Sequence, residues 1–286
     1  MKPLPAWFRA IVRVLSVIPP LGAAFGWRLF WQLGEPATVR ASEQAFHDSA
    51  RVTREGDIVR YEWGAGEKVV LLVHGWRSRA SRFAEIGSAL VERGYTVVSF
   101  DARGNGDSAG TRTHALEYAE IAAQLGQRYG VFDAIIAHSL GAVAAFVAVR
   151  RGTRTRRLVT IGAPHNFDSV IRTFTTAVGM PPAASRSLKR RIDRWARPLG
   201  VDVRRELVSE LDPTAYTTPL LVVHDSGDRE APLEQAMLIV EAHTGPVETL
   251  ITDGLGHNRV LSDPTVIERI TRFVEAPTPV AKQELP

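Results

Sequence analysis

Residues 132–149 read Phe-Asp-Ala-Ile-Ile-Ala-His-Ser-Leu-Gly-Ala-Val-Ala-Ala-Phe-Val-Ala-Val, and the reading of the whole chain turns on their centre, Ala137-His138-Ser139-Leu140-Gly141. The apolar run at 132–137 predicts a buried strand. The small apolar residues at 142–149 predict a buried helix ending near Gly152. A serine at such a strand-to-helix reversal sits on a turn so tight that the residues two before and two after it must be small. Ala137 and Gly141 meet that need, with alanine in place of the more usual glycine. An ordinary serine N-cap is the competing reading, so the rest of the chain has to decide.

Working outward, strands and helices alternate. The run 69–73, Val-Val-Leu-Leu-Val, has the continuous apolar character of a strand covered on both faces. It leads into His74-Gly75-Trp76. A helix carrying Phe83, Ile86 and Leu90 follows, then a strand at 95–100. That strand delivers the polar, glycine-rich loop Asp101-Ala-Arg-Gly-Asn-Gly-Asp-Ser108. A helix at 114–129 precedes the central stretch. Strands at 157–161, 220–224 and 247–252 and helices at 233–242 and 264–274 continue the pattern. Before all of these, alternation at Val59, Tyr61 and Trp63 predicts an antiparallel hairpin over 50–54 and 58–63. Such alternation implies a mostly parallel twisted sheet with helices on both faces, an α/β fold.

One segment breaks the rhythm. Residues 165–218 contain no predicted strand and carry nine Lys/Arg against six Asp/Glu. Leu188, Ile192 and Trp195 form a helical stripe there among Lys189, Arg190, Arg191, Arg194 and Arg197. We read a helical cap inserted over one end of the sheet. The expected organisation is an N-terminal extension at 1–49, a core at 50–164 and 219–275, the cap at 165–218, and a flexible tail at 276–286.

Composition narrows the classes. The 286 residues are 45% hydrophobic and 23% charged, with a net charge of +4 and no cysteine. Disulfide frameworks, thiolate metal sites and cysteine nucleophiles are therefore excluded. The positive charge is nearly all arginine, and no nucleic-acid-binding module accompanies it. In the N-terminal segment Trp7, Ile11, Val14, Leu15 and Ile18 share one helical face and Arg9, Arg13 and Ser16 the other, until Pro19-Pro20 stops the helix. This is too short to span a bilayer. It reads as an amphipathic segment that packs on the domain or makes peripheral contact with a membrane. A signal peptide cleaved near Gly22-Ala23-Ala24 is the remaining reading. The expected location is cytoplasmic, with membrane association or secretion as the other readings.

The carboxyl ends of the strands, where ligands of such sheets bind, collect the reactive residues: Trp76, Asp101, Ser139, Asp228 and His257. A serine hydroxyl needs a base to take its proton, and the base needs a carboxylate to hold its tautomer. His257, in the loop Gly254-Leu255-Gly256-His257 after the last strand, is the candidate base. Asp228, four residues before Pro232, is the candidate carboxylate. Asp225, which caps its strand, is the alternative and reads as structural. His138 is expected to point away from the site, and His74 to support neighbouring turns. Donors for a developing oxyanion are expected from the backbone N–H groups of Trp76 and Leu140. Asp101 and Arg103 read as architectural. No Walker loop, dinucleotide-binding glycine pattern or His-Glu-x-x-His motif is present, so neither cofactor nor metal is expected.

These motifs together resemble the α/β-hydrolase superfamily, and within it bacterial serine esterases with a helical cap. The resemblance covers residues 57–275 and rests on His74-Gly75-Trp76, the Asp101–Ser108 loop, Ser139, Asp228 and Gly256-His257, in that family's Ser, Asp, His order. It implies a triad of Ser139, Asp228 and His257 with oxyanion donors Trp76 and Leu140. Serine at the nucleophile position argues against dehalogenases and epoxide hydrolases. The implied activity is carboxylic ester hydrolysis through an acyl-enzyme on a small-molecule acyl ester, without cofactor or nucleic acid. Cap residues Trp195, Phe174 or Met180 are candidates for the pocket wall, with plain core packing as the commoner reading. Because the fold hosts many functions, thioesterase or lipase activity on longer acyl chains, or non-hydrolytic ligand binding, stand as alternatives.

Overall fold

Val69, Leu71 and Val73 face one side of a strand and Val70 and Leu72 the other, yet all five are buried. Both faces of this strand are therefore covered, and the two faces belong to two separate apolar clusters. A computed structural model describes residues 5–209 and 217–277 of the chain. In chain order the elements are α1 (Ala6–Leu15), α2 (Pro19–Phe30), α3 (Gln44–Asp48), β1 (Arg51–Glu55), β2 (Ile58–Trp63), β3 (Val69–Val73), α4 (Ala84–Glu92), β4 (Thr96–Asp101), α5 (Ala115–Tyr129), β5 (Ala134–His138) and α6 (Leu140–Arg150). There follow β6 (Leu158–Ile161), α7 (Phe167–Val178), α8 (Pro182–Ala196), α9 (Val203–Glu206), β7 (Leu220–Asp225), α10 (Leu233–Ala242), β8 (Val247–Thr252), α11 (Gly256–Arg259) and α12 (Pro264–Glu275).

The strands form one eight-stranded sheet in the order β1-β2-β4-β3-β5-β6-β7-β8. β1, β2 and β4 pair antiparallel, and all other pairs are parallel. On one face β3, β4 and β5 pack against α5 and α6. On the other side lie Phe83, just before α4, Ile86 and Leu90 of α4, and Ile270 and Phe273 of α12. The hairpin departs from the half-buried expectation in an uneven way: β1 is exposed throughout, whereas β2 buries Val59, Tyr61 and Trp63. β1 is the outermost strand and has only β2 beside it.

Residues 165–209 form the helical insertion α7, α8 and α9 over the carboxyl end of the sheet. The last part of the expected cap, 210–216, and most of the expected tail, 278–286, lie outside the described residues. A buried polar knot ties the insertion's base to the core. Gln235 Oε1 accepts from the His165 N–H and from Ser169 Oγ, and His165 Nδ1 meets Ser209 Oγ at 2.6 Å.

The N-terminal segment differs from the sequence expectation in two respects. Pro19-Pro20 ends one helix but also opens a second, α2, because proline is tolerated where the first-turn N–H groups have no helical acceptor. The apolar face carrying Trp7, Ile11, Val14 and Ile18 points to solvent, while Val12 and Ser16 pack inward. α2 lies against α8, with Trp27 and Trp31 stacking around Trp195. The segment after α2 is held by arginines of the β3–α4 loop: Arg77 donates to Gln32 O, and Arg79 to Ala37 O.

Candidate active site

β5 ends at His138 and α6 begins at Leu140, which leaves Ser139 alone to reverse the chain. Its φ of 54° and ψ of −124° lie where an L-residue is strained. Such a turn presents the side chain to the outside of the sheet edge, and the Ser139 N–H is tied to Ile161 O at 2.9 Å. The small residue at 141 has a measurable cause. A Cβ there would stand 2.4 Å from Val73 O and 2.5 Å from His74 O, both backbone atoms of the neighbouring strand end. Gly141→Ala is therefore expected to cost about 3 kcal/mol, a Tm drop of roughly 6–12 °C. A melt within about 2 °C of wild type, in place of that drop, would contradict the close approach.

The base arrives on the opposite loop. Asp225, buried at the end of β7, accepts from Gly227 N, Thr252 Oγ1 and Leu255 N at 2.9–3.0 Å. It thereby fixes the turn that carries His257. Three residues further on, Asp228 Oδ1 accepts from the N–H groups of Glu230 and Ala231. Its Oδ2 lies 2.7 Å from His257 Nδ1, and His257 Nε2 lies 3.0 Å from Ser139 Oγ. The pair is nearly dry, with the Asp228 side chain 1% exposed and the His257 side chain 8%. Burial pushes the Asp228 carboxyl up, but its hydrogen bond and attraction to His257 and the two N–H donors outweigh this and hold it below the ordinary range. An ionised Asp228 accepts the hydrogen bond of His257 Nδ1–H, which leaves Nε2 free to accept from the serine hydroxyl.

The structure thus brings Ser139, His257 and Asp228 into one hydrogen-bonded line and sets Asp225 beside it as a loop anchor. The backbone N–H groups of Trp76 and Leu140 have no acceptor among the described residues, and both residues line the cavity described below. Leu140 opens α6, where helical N–H groups are left free. Asp101 is fully buried and serves architecture: it accepts from Ala80 N, Asp107 N and Tyr61 Oη at 2.7–2.8 Å. Arg103 pairs with Asp57 and Glu117. His74 bridges Gly75 O and Ala102 N.

His138 does not point away. Its Nε2 donates to the His257 backbone carbonyl at 2.9 Å, and the two rings lie 4.7 Å apart. Burial, with the nearby His257, drives its pKa down to about 3, so it is a neutral prop under the base loop. Its place next to Ser139 suggested the opposite side of the strand, but the elbow's sharp turn redirects the chain. Gly162, at φ 56°, was also not singled out from the sequence. A Cβ there would meet His257 Nδ1 at 3.1 Å and Asp228 Oδ2 at 3.3 Å. The motif Gly162-Ala163-Pro164 directly after a strand was the available signal.

A cavity of about 400 Å³ opens beside Ser139, lined mostly by apolar side chains. Phe174 and Trp195 of the cap line it, as the sequence suggested. Met180 does not; it packs against Gly26 of α2 instead. Phe30 and Trp31 supply wall that the sequence reading assigned to no site, and His114 joins them, its ring against those of Trp31 and Trp195. Their signal is the aromatic-rich run after Pro20, in a segment expected to pack on the domain, touch a membrane or be a signal, but not to wall a pocket. Among the described residues, no three His, Cys, Asp or Glu side chains gather as metal ligands.

The family model for serine aminopeptidase, S33, matches residues 64–204, a stretch that includes Ser139 and stops before Asp228 and His257. A non-heme haloperoxidase of Rhodococcus erythropolis is 32% identical over 130 residues, covering 44% of this chain and 46% of that protein, so the match spans about half of that relative's length. A monoacylglycerol lipase of Mycolicibacterium smegmatis is 25% identical over 245 residues, covering 72% of this chain and 87% of that one. In three dimensions an esterase of Pyrococcus furiosus superposes with a TM-score of 0.58 at 18% identity, covering 85% of this chain and 96% of that chain. The chain has the α/β-hydrolase fold, and just under half of it matches the serine aminopeptidase family model. Proteins it is similar to include esterases and a lipase beside the haloperoxidase.

Proposed function

We propose that the protein is a carboxylesterase acting on medium-chain acyl esters through a covalent acyl-enzyme. The observation that carries this reading is the continuous Asp228–His257–Ser139 hydrogen-bond line at the mouth of an apolar cavity. Ser139 Oγ attacks the ester carbonyl as its proton passes to His257 Nε2. Asp228 stabilises the imidazolium that forms. The carbonyl oxygen becomes an oxyanion, stabilised by the free N–H groups of Trp76 and Leu140. Collapse of this intermediate breaks the ester C–O bond, and His257 returns the proton to the departing alcohol. Water then enters, gives a proton to His257 and attacks the acyl carbon. The acid leaves as Ser139 Oγ takes the proton back.

Cavity size supports the substrate class. At about 400 Å³ it lies in the roughly 300–1,000 Å³ range of small-molecule sites. Each methylene buried in it contributes about 0.8 kcal/mol, about fourfold in kcat/KM. Across p-nitrophenyl esters, kcat/KM is expected to climb by about that factor per methylene from acetyl to hexanoyl or octanoyl, and to fall at palmitoyl. A continued rise to palmitoyl would instead favour a lipase, the reading supported by the likeness to the monoacylglycerol lipase. No hydrolysis of any ester in the series would sink the esterase reading.

A further inference from the structure

We propose that the outer face of α1 and α2, together with the arginines of α8 beside it, is a docking surface for an anionic phospholipid bilayer. The proposal goes beyond the esterase reading and does not depend on it. Of the ten exposed large apolar side chains among the described residues, six lie within fifteen positions: Trp7, Ile11, Val14, Val17, Ile18 and Leu21. Trp7 is 65% exposed, Val14 71% and Val17 80%. The spacing 7, 11, 14, 18 places four of them in one row on the helix and its exit. A contiguous apolar patch of this kind marks an interaction site.

Charge selects the occupant. No Asp or Glu occurs between residues 5 and 34, whereas Arg13 and Arg28 are exposed on the two helices. Leu21 and Arg28, seven residues apart, share the exposed face of α2. α2 packs against α1 on one side and α8 on the other. On α8, Arg191 lies over the Trp27 ring, 5.5 Å from its centroid, and Arg194 lines the groove between Trp27 and Trp195. Among the described residues none of Arg13, Arg28, Arg191 and Arg194 is in an ion pair; the charged partners on α8 are Lys189 with Asp168 and Asp193 with Arg204. Arginines outside any ion pair, beside an apolar row that holds a tryptophan and a helix pair without a carboxylate, are what an anionic headgroup layer recognises. A second protein copy would gain nothing from these uncompensated charges.

Depth and direction agree. α1 is about 15 Å long and α2 about 18 Å at the helical rise, and no helix among the described residues is long and apolar enough to cross a membrane. The pair would therefore lie in the interface, not span it. α2 runs from this face into the cavity wall, where Phe30 and Trp31 stand. A chain leaving the bilayer at the α2 face would meet the acyl pocket at the end of the same helix.

Co-sedimentation of the full chain with vesicles tests this, comparing equal parts phosphatidylglycerol and phosphatidylcholine with phosphatidylcholine alone. Partitioning onto the mixed vesicles is expected to be at least about tenfold stronger and to weaken as salt is raised. The triple variant Trp7→Ser, Ile11→Ser, Val14→Ser is expected to lose about tenfold or more in partitioning. Its Tm and its hydrolysis of soluble p-nitrophenyl butyrate should match wild type. The pair Arg191→Gln, Arg194→Gln should lose about tenfold on the mixed vesicles only. Equal partitioning on both vesicle types, no partitioning at all, or variants that bind like wild type would each overturn the proposal. So would a wild-type dimer in solution that the triple variant turns into a monomer, because a second copy would then cover the face.

Discussion

Ser139→Ala is expected to lower kcat on p-nitrophenyl hexanoate by about 10⁶-fold, or about 8 kcal/mol of transition-state stabilisation. The alanine fits the elbow, since the strain at φ 54° belongs to the backbone and the lost hydroxyl touches only His257 Nε2. The fold should therefore survive, and Tm should change little. What remains is catalysis by the cavity and the oxyanion donors over the reaction in water. His257→Ala should cost about as much, and the double variant little more than either alone, because the two groups act as one unit. Labelling by a fluorophosphonate should be confined to Ser139 and vanish in Ser139→Ala. Equal turnover by variant and wild type would remove Ser139 as the nucleophile.

The second large effect separates two aspartates three residues apart. Asp228→Asn should cost about 10⁴-fold in kcat. The amide would present Nδ2–H or a neutral oxygen to His257 Nδ1, so the ring could take the tautomer that carries its proton on Nε2, unable to accept from Ser139. Asp225→Asn should act differently. Asp225 touches neither His257 nor Ser139; it holds Gly227, Thr252 and Leu255. Its loss should lower Tm and loosen the base loop, with a fall in kcat of about 10–100-fold. If Asp225→Asn proved the more damaging to kcat at unchanged Tm, the two roles would be reversed. Both carboxyls are held below their ordinary pKa, each despite burial: Asp225 by the N–H groups of Gly256, Leu255 and Gly227 and the Thr252 hydroxyl, Asp228 chiefly by His257. A carboxyl lowered on folding contributes stability above its unfolded pKa of about 3.9 and loses it as pH falls through the folded value. Acid melts of Asp225→Asn should therefore lose less between neutral and acidic pH than melts of the wild type.

Much of this architecture was legible because it is written in short-range patterns. Short β-branched apolar runs such as Val69–Val73, bounded by glycine-containing turns, read as strands buried on both sides, and β8 and α10 fall at the expected residues. The serine elbow was legible because its steric demand is local: small residues at fixed offsets from Ser139. Asp228 and Asp225 could be ranked by distance along the loop, since the strand end itself is occupied by the group that caps it. The pocket was legible only in part. Trp195 and Phe174 line it, but Met180 turned inward to fill the space above Gly26, a choice that depends on how α2 crosses α8.

By itself, then, the sequence determined the alternation of the sheet, the insertion after β6, and the candidate nucleophile, acid and base, because each depends on periodicity or on neighbours within a few residues. Only the tertiary structure decided what depends on distant chain segments meeting. It turned the N-terminal helices so that α2 walls the cavity while Trp7, Ile11 and Val14 face outward. It set Gly162 against the His257–Asp228 pair and His138 beneath the base loop. Helical periodicity identifies an apolar stripe but not which side of it finds a partner. α1 carries apolar residues around more than half its circumference, and the placement of α2 and α7 selects the side that is buried.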